Sequence, residues 1–154
     1  MMNKEQKKQY ISDMSTQFDK SEAVIVTHYQ GLTVSQLDEL RKQMREHGIK
    51  FKITNNRITK LALEKTRCKD LSDLFSGPTA VAMSEDAITS AKILTKFSKE
   101  NQNLKILGGI MGSDVLDVAG VQNVATLPSL DEARAKIVGI LRSPAQKIAS
   151  ILLA

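Results

Sequence analysis

Apolar residues recur with a helical period at the start of the chain. Ile11, Met14 and Phe18 fall on one face of residues 4–19, and Lys4, Lys7 and Lys8 fall off it, which predicts an amphipathic helix. The β-branched run Ala23-Val-Ile-Val-Thr-His28 predicts a buried strand. A helix capped at Thr33 or Ser35 follows, with Leu37, Leu40 and Met44 as its stripe and Gly48 as its stop. Ile49-Lys-Phe-Lys-Ile53 alternates, predicting a strand with one apolar and one basic face. A short helix is then expected to bury Ile58, Leu61 and Ala62. Gly77-Pro78 breaks the chain before the strand Thr79-Ala-Val-Ala-Met83. A helix runs from a Ser84 cap to Phe97, with Glu85 and Asp86 in its first turn, where acids suit the macrodipole. The strand Leu104-Lys-Ile-Leu107 ends at Gly108-Gly109, read as a turn. Residues 108–126 carry the weakest pattern and predict a small hairpin or an irregular lobe.

The order is one helix, strand–helix–strand, a helical insertion, and strand–helix–strand again. It predicts an α+β fold: a ferredoxin-like split βαβ layered domain with an N-terminal helix and a C-terminal helical tail. A doubly wound parallel sheet is the rival, and the paired repeats favour the split arrangement. The division expected is residues 1–128 as the domain and 129–154 as the tail.

The tail is the most informative segment. Ser129 is a good N-cap, Glu132 its capping-box partner, and Leu130 completes the entry signature. Ala133, Ile137, Ile140 and Leu141 form a stripe until Arg142-Ser-Pro stops the helix. Pro144 suits the first turn of a second helix bearing Ile148, Ile151 and Leu152. A terminus is usually polar and frayed unless it docks. An apolar terminal helix therefore predicts burial by another chain, with Ala145, Ile148, Ile151 and Leu152 as the contact residues.

Composition narrows the function. The 154 residues, 42% hydrophobic and 25% charged, match an ordinary globular protein. One cysteine, Cys68, excludes an internal disulfide framework and a cysteine-rich metal site, and a reducing, cytosolic compartment is the expectation. No apolar run is long enough to span a membrane, and the polar start of the chain has no signal-like region. Charge is uneven. Residues 1–69 hold 14 Lys/Arg against 8 Asp/Glu, whereas residues 70–154 hold 8 against 9. Within residues 41–69 the balance reaches 10 against 2, and a polyanion is the natural partner of such a field.

Catalytic chemistry finds no support. His28 and His47 end a strand and a helix without a Ser, Cys or carboxylate constellation beside them. Cys68 lies among Lys65, Arg67 and Lys69 with no motif around it. Gly108-Gly-Ile-Met-Gly112 lacks the Gly-Lys-Ser/Thr ending of a phosphate loop. Asp114 and Asp117 are too sparse for a metal loop. No enzyme, cofactor or metal is expected. A membrane-peripheral adaptor is a poor fit, since such anchors are rich in Lys/Arg and aromatics, and the final segment has only Lys147.

Nucleic-acid chemistry fits better. Thr54-Asn-Asn-Arg-Ile-Thr-Lys60 opens a helix whose free N–H groups, Asn amides, Arg57 and Lys60 form a good phosphate-binding end. Tyr29, in the Gly31 turn, is placed to stack on an unpaired base. The expected RNA-binding residues are Lys4, Lys7, Lys8, Tyr29, Asn56, Arg57 and Lys60.

Several motifs occur together in one order. They are Tyr29-Gln-Gly-Leu-Thr-Val34, Leu40-Arg41, Phe51-Lys-Ile-Thr-Asn-Asn-Arg-Ile58, Leu61-Ala-Leu63 and Phe75-Ser-Gly-Pro-Thr-Ala-Val81, then Gly108-Gly109, Leu127-Pro-Ser129 and Ser143-Pro144. Together they resemble the stalk-base protein family of the large ribosomal subunit, over essentially the whole chain. The resemblance implies a non-enzymatic, cytoplasmic, ribosome-bound scaffold. Its N-terminal domain would grip large-subunit ribosomal RNA beside a neighbouring stalk-base protein. Its C-terminal helix would carry acidic stalk-protein dimers, which recruit translational GTPases. The family usually has Lys-Asn where this chain has Asn55-Asn56, with Arg57 as the substitute contact. It also usually continues past the position of Ala154, so the resemblance implies either few dimers on the chain as given or a truncated sequence. An RNA-binding α+β adaptor of another kind, with a protein-docking tail, is the alternative.

Overall fold

The computed structural model describes residues 3–153. Five antiparallel strands form one sheet in the order β2-β3-β1-β4-β5: β1 Ala23–His28, β2 Lys50–Ile53, β3 Thr79–Ser84, β4 Lys105–Met111 and β5 Asp114–Asp117. The first four are in the order of a split βαβ domain, so the expected α+β architecture is observed, with β5 added outside β4. Helices cover both faces. On one, Met14 and Phe18 of α1 (Lys4–Lys20), Ala62 and Leu63 of α3 (Asn56–Leu63) and Leu71 of a 3₁₀ turn (Lys69–Leu74) pack on Val24, Val26, Val81 and Met83. On the other, α2 (Val34–Glu46), α4 (Ala87–Glu100) and α5 (Val118–Thr126) supply Leu40, Met44, Leu94, Phe97 and Val121 against Ile25 and Ala82. Successive strand side chains point to opposite faces, so β1 and β3, with apolar residues at consecutive positions, lie buried on both sides.

The helix ends follow local chemistry. Asn3 and Gln6 form a capping box on α1, and Thr33 and Gln36 form another on α2. The amides of Gly48 and Ile49 bond Arg45 and Met44 carbonyls, and Gly48 takes φ +71°, so a Schellman closure turns α2 into β2.

Four expectations need correction. The cap of α4 is Asp86, which accepts from Ile88 and Thr89 amides, while Ser84 still belongs to β3 and bonds the Ser90 hydroxyl at 3.0 Å. The buried face of α3 is Thr59, Ala62 and Leu63; Leu61 is 50% exposed, because the chain enters rotated from the predicted stripe. Gly108-Gly109 is not a turn but lies inside β4. A Cβ on Gly109 would stand 2.7 Å from the Val24 carbonyl oxygen, and one on Gly108 would stand 2.7 Å from that of Leu116. Both glycines let β1 and β5 approach a strand that shifts register by a bulge opposite Val26 and Thr27.

The fourth correction concerns the tail. It is one 24-residue helix, α6 (Leu130–Leu153), and Pro144 lies within it. Proline removes one ladder donor, leaving the Ile140 carbonyl without its partner. No residue of α6 is buried, so water can take over that carbonyl and the helix is not forced to end.

Candidate nucleic-acid interface and docking helix

Strand direction gathers most of the predicted RNA contacts. β1 and β3 are antiparallel, pairing His28 with Thr79, and β2 pairs Ile53 with Ala80. The end of β1, the end of β2 and the start of β3 therefore share one edge of the sheet. Tyr29 and residues 54–57 emerge there. The two elements are tied together by Asn56, whose amide nitrogen donates to the Gly77 carbonyl at 2.7 Å and whose oxygen accepts from the Thr79 hydroxyl. Asn56 thus spends most of its hydrogen-bonding capacity inside the protein. Arg57 and Lys60, by contrast, are exposed and have no carboxylate partner among the described residues.

The turn that carries Tyr29 is rigid. Gly31 has φ +91°, its carbonyl accepts from the Asn103 amide at 2.7 Å, and the Leu32 amide donates to the Tyr29 carbonyl. Half-buried Tyr29 is held beside His28, whose Nε2 meets the Ser76 carbonyl at 2.6 Å.

Helix α1 lies across β2 and α3. Its Ser15 hydroxyl donates to the Ala62 carbonyl, and Lys52 Nζ sits 5.0 Å from the Tyr10 ring centroid. Burial pushes the Tyr10 phenol up, keeping it protonated. Lys4, Lys7 and Lys8 are exposed on the first two turns of the same helix.

Sequence reasoning registered the charge of residues 41–69 but did not assign four of its members to the site. Arg41 and Arg45 of α2, with Lys50 and Lys52 of β2, line an open groove of about 300 Å³ whose other walls include Gln17 and Phe51. The alternation of residues 49–53 was the available signal, since it aims both lysines to one side. Among the described residues Arg41 alone of these four meets a carboxylate, Asp38 at 3.4 Å.

The tail supplies the second feature. Ile137 is 58% exposed, Leu141 74%, Ile148 59%, Ile151 73% and Leu152 80%. These residues recur every three or four positions through Pro144, so a single apolar stripe runs along a helix about 36 Å long. Ala145 is exposed on the same side. At the root of α6 the expected capping box is present: the Ser129 amide donates to Glu132, and the Glu132 amide to Ser129 Oγ. Glu132 also pairs with Lys92 of α4, and the lysine's hydrogen bond holds the carboxyl below its ordinary pKa.

Among the described residues no group of three His, Cys, Asp or Glu is placed to hold a metal ion, and no helix is long and apolar enough to cross a membrane.

The sequence profile of a family described as Ribosomal protein L10 matches residues 2–99. A protein named Large ribosomal subunit protein uL10 from Pelagibacter ubique (strain HTCC1062) is 74% identical over 153 residues, covering 99% of this chain and 92% of that protein. A protein of the same name from Rhodospirillum rubrum is 47% identical, covering 97% and 87%. One from Parvibaculum lavamentivorans is also 47% identical, covering 95% and 85%.

Proposed function

Because the chain belongs to the ribosomal protein L10 family, we propose that it is a structural constituent of the large ribosomal subunit with two separate binding surfaces. Residues 1–128 bind large-subunit ribosomal RNA at the stalk base, beside a neighbouring ribosomal protein. Residues 129–154 anchor acidic stalk-protein dimers, through which GTP-bound translation factors are recruited. The protein acts by holding partners and carries out no chemistry. Its place is on cytoplasmic ribosomes.

One observation carries the reading: the chain combines a segment, residues 41–69, that holds 10 Lys/Arg against 2 Asp/Glu with a helix whose apolar stripe lies open to solvent. The first suits phosphates, since Lys and Arg contacts release counterions from the polyanion. The second suits an amphipathic helix-in-groove contact. Arg57 in the first turn of α3 and Lys60 one turn further on, with Lys4, Lys7 and Lys8 on α1, are the phosphate contacts. Tyr29 offers a ring to an unpaired base, and Asn56 positions α3 by bracing it to the loop before β3.

Filter binding of purified large-subunit rRNA across a salt series tests the RNA half. The affinity should fall by roughly 0.7–0.9 log units per phosphate contact for each tenfold rise in salt. Replacing Arg57 and Lys60 by Ala should flatten the slope by up to about two units. A wild-type affinity insensitive to salt would refute the RNA reading.

A further inference from the structure

We propose that the groove along the open edge of β2 is a phosphate track, in which Arg41, Arg45, Lys50 and Lys52 grip the sugar–phosphate backbone of RNA without regard to base sequence. This rests on the RNA-binding reading and extends it to a surface outside the α3 start.

β2 is an outer strand of the sheet, so one side of its backbone faces solvent. A lysine on an exposed edge is commonly a guard against edge-to-edge pairing. That role accounts for lysines on the strand and leaves unexplained the two arginines that α2 brings over the same groove. Lys50 and Lys52 pair across from Met83 and Val81, so both leave the same face of the sheet, about 7 Å apart along the strand. Arg41 and Arg45 are one helical turn apart, with Cβ atoms about 5–6 Å from each other. Both spacings suit consecutive phosphates of one nucleic-acid strand. The groove's volume of about 300 Å³ is open space that a backbone segment can enter.

The aromatic chemistry points to backbone and not to bases. Tyr10 is already covered by Lys52 at 5.0 Å, and Phe51 is half-buried in the groove wall. Neither ring is left free to stack a base, which is the usual means of sequence-tolerant single-strand capture. The start of β2 lies at the groove and its end leads through residues 54–55 into α3. The track therefore continues toward Arg57 and Lys60, giving one cationic path along the sheet edge.

The test compares the intact chain with Arg41→Gln/Arg45→Gln and Arg57→Ala/Lys60→Ala, each checked for an unchanged melting temperature. The probes are purified large-subunit rRNA, an RNA duplex of arbitrary sequence, and a polyglutamate peptide. The arginine pair should lower the salt slope by about 1.4–1.8 log units per tenfold salt, and equally for both RNAs. A slope that falls only in the Arg57/Lys60 variant would overturn the track while leaving the RNA reading intact. So would loss of polyglutamate binding in the arginine variant with an unaltered RNA slope, which would assign the groove to an acidic protein segment. Absence of salt-dependent rRNA binding by the intact chain would instead remove the underlying reading.

Discussion

Ile148→Asp with Ile151→Asp separates a docking helix from a folded-back one. The two side chains are 59% and 73% exposed, and nothing in α6 is buried, so the free protein loses no core contact. What remains is helix propensity, under about 0.7 kcal/mol per site. For a chain of 154 residues, each kcal/mol moves Tm by roughly 2–4 °C. Fraying of the last turns need not reach the sheet, so the expected shift is at or below that. Docking is different. Burying each isoleucine in a partner groove contributes roughly 1.5–3 kcal/mol. Losing both removes about 3–6 kcal/mol, or two to four orders of magnitude in Kd at about 1.4 kcal/mol per tenfold change. Two added carboxylates facing an acidic partner push in the same direction. Calorimetric titration with the acidic stalk dimer, beside a thermal melt of the free chain, reads both quantities. The reasoning fails if the melt drops by about 10 °C or more, well beyond the propensity effect, which would make the tail part of the core. It fails equally if the dimer binds with undiminished affinity.

Gly109→Ala should cost about 1–3 kcal/mol, because its Cβ would meet the Val24 carbonyl of the central strand at 2.7 Å; an unchanged Tm would show that β4 can retreat. Asn56→Ala should lower the urea midpoint by an amount equivalent to about 1–3 kcal/mol, since buried Thr79 loses its acceptor; an equal midpoint would mean that water replaces the amide. Burial raises the Cys68 thiol pKa, with Arg67 opposing as a smaller effect. The unfolded chain therefore ionises first. Stability should be fully present below about pH 8.5, the ordinary thiol value, and decline as pH rises through the folded one. Urea melts of the intact chain and Cys68→Ala across that range should differ in slope with pH, and parallel curves would remove the thiol from the account.

Periodicity and charge make most of the secondary structure and the cationic half of the chain legible from the residues alone. The runs at 23–28 and 79–83 are apolar at consecutive positions, which suits strands buried on both faces, and both are strands. Capping residues at Thr33 and Ser129 act locally, through bonds to amides three residues on, so their signals survive in any tertiary setting. The exposed apolar stripe of α6 is equally readable, since it depends only on spacing.

Long-range partners decided the rest. Gly108-Gly109 looks like a turn by composition, yet only the approach of Val24 and Leu116 backbones reveals two glycines inside a strand. The bonds of the Asn56 side chain to Gly77 and Thr79 exist only because the sheet brings those two residues to its amide. Pro144 reads as a break, but with α6 wholly exposed a solvated carbonyl is cheap and the helix continues. Arg41 and Arg45 became neighbours of Lys50 and Lys52 because the Schellman turn at Gly48 folds α2 back along β2. The sequence determined which segments are helix or strand and where positive charge accumulates, because those follow from local spacing. The tertiary structure decided which charges share a groove and which polar groups are already spent, because those depend on neighbours far apart in the chain.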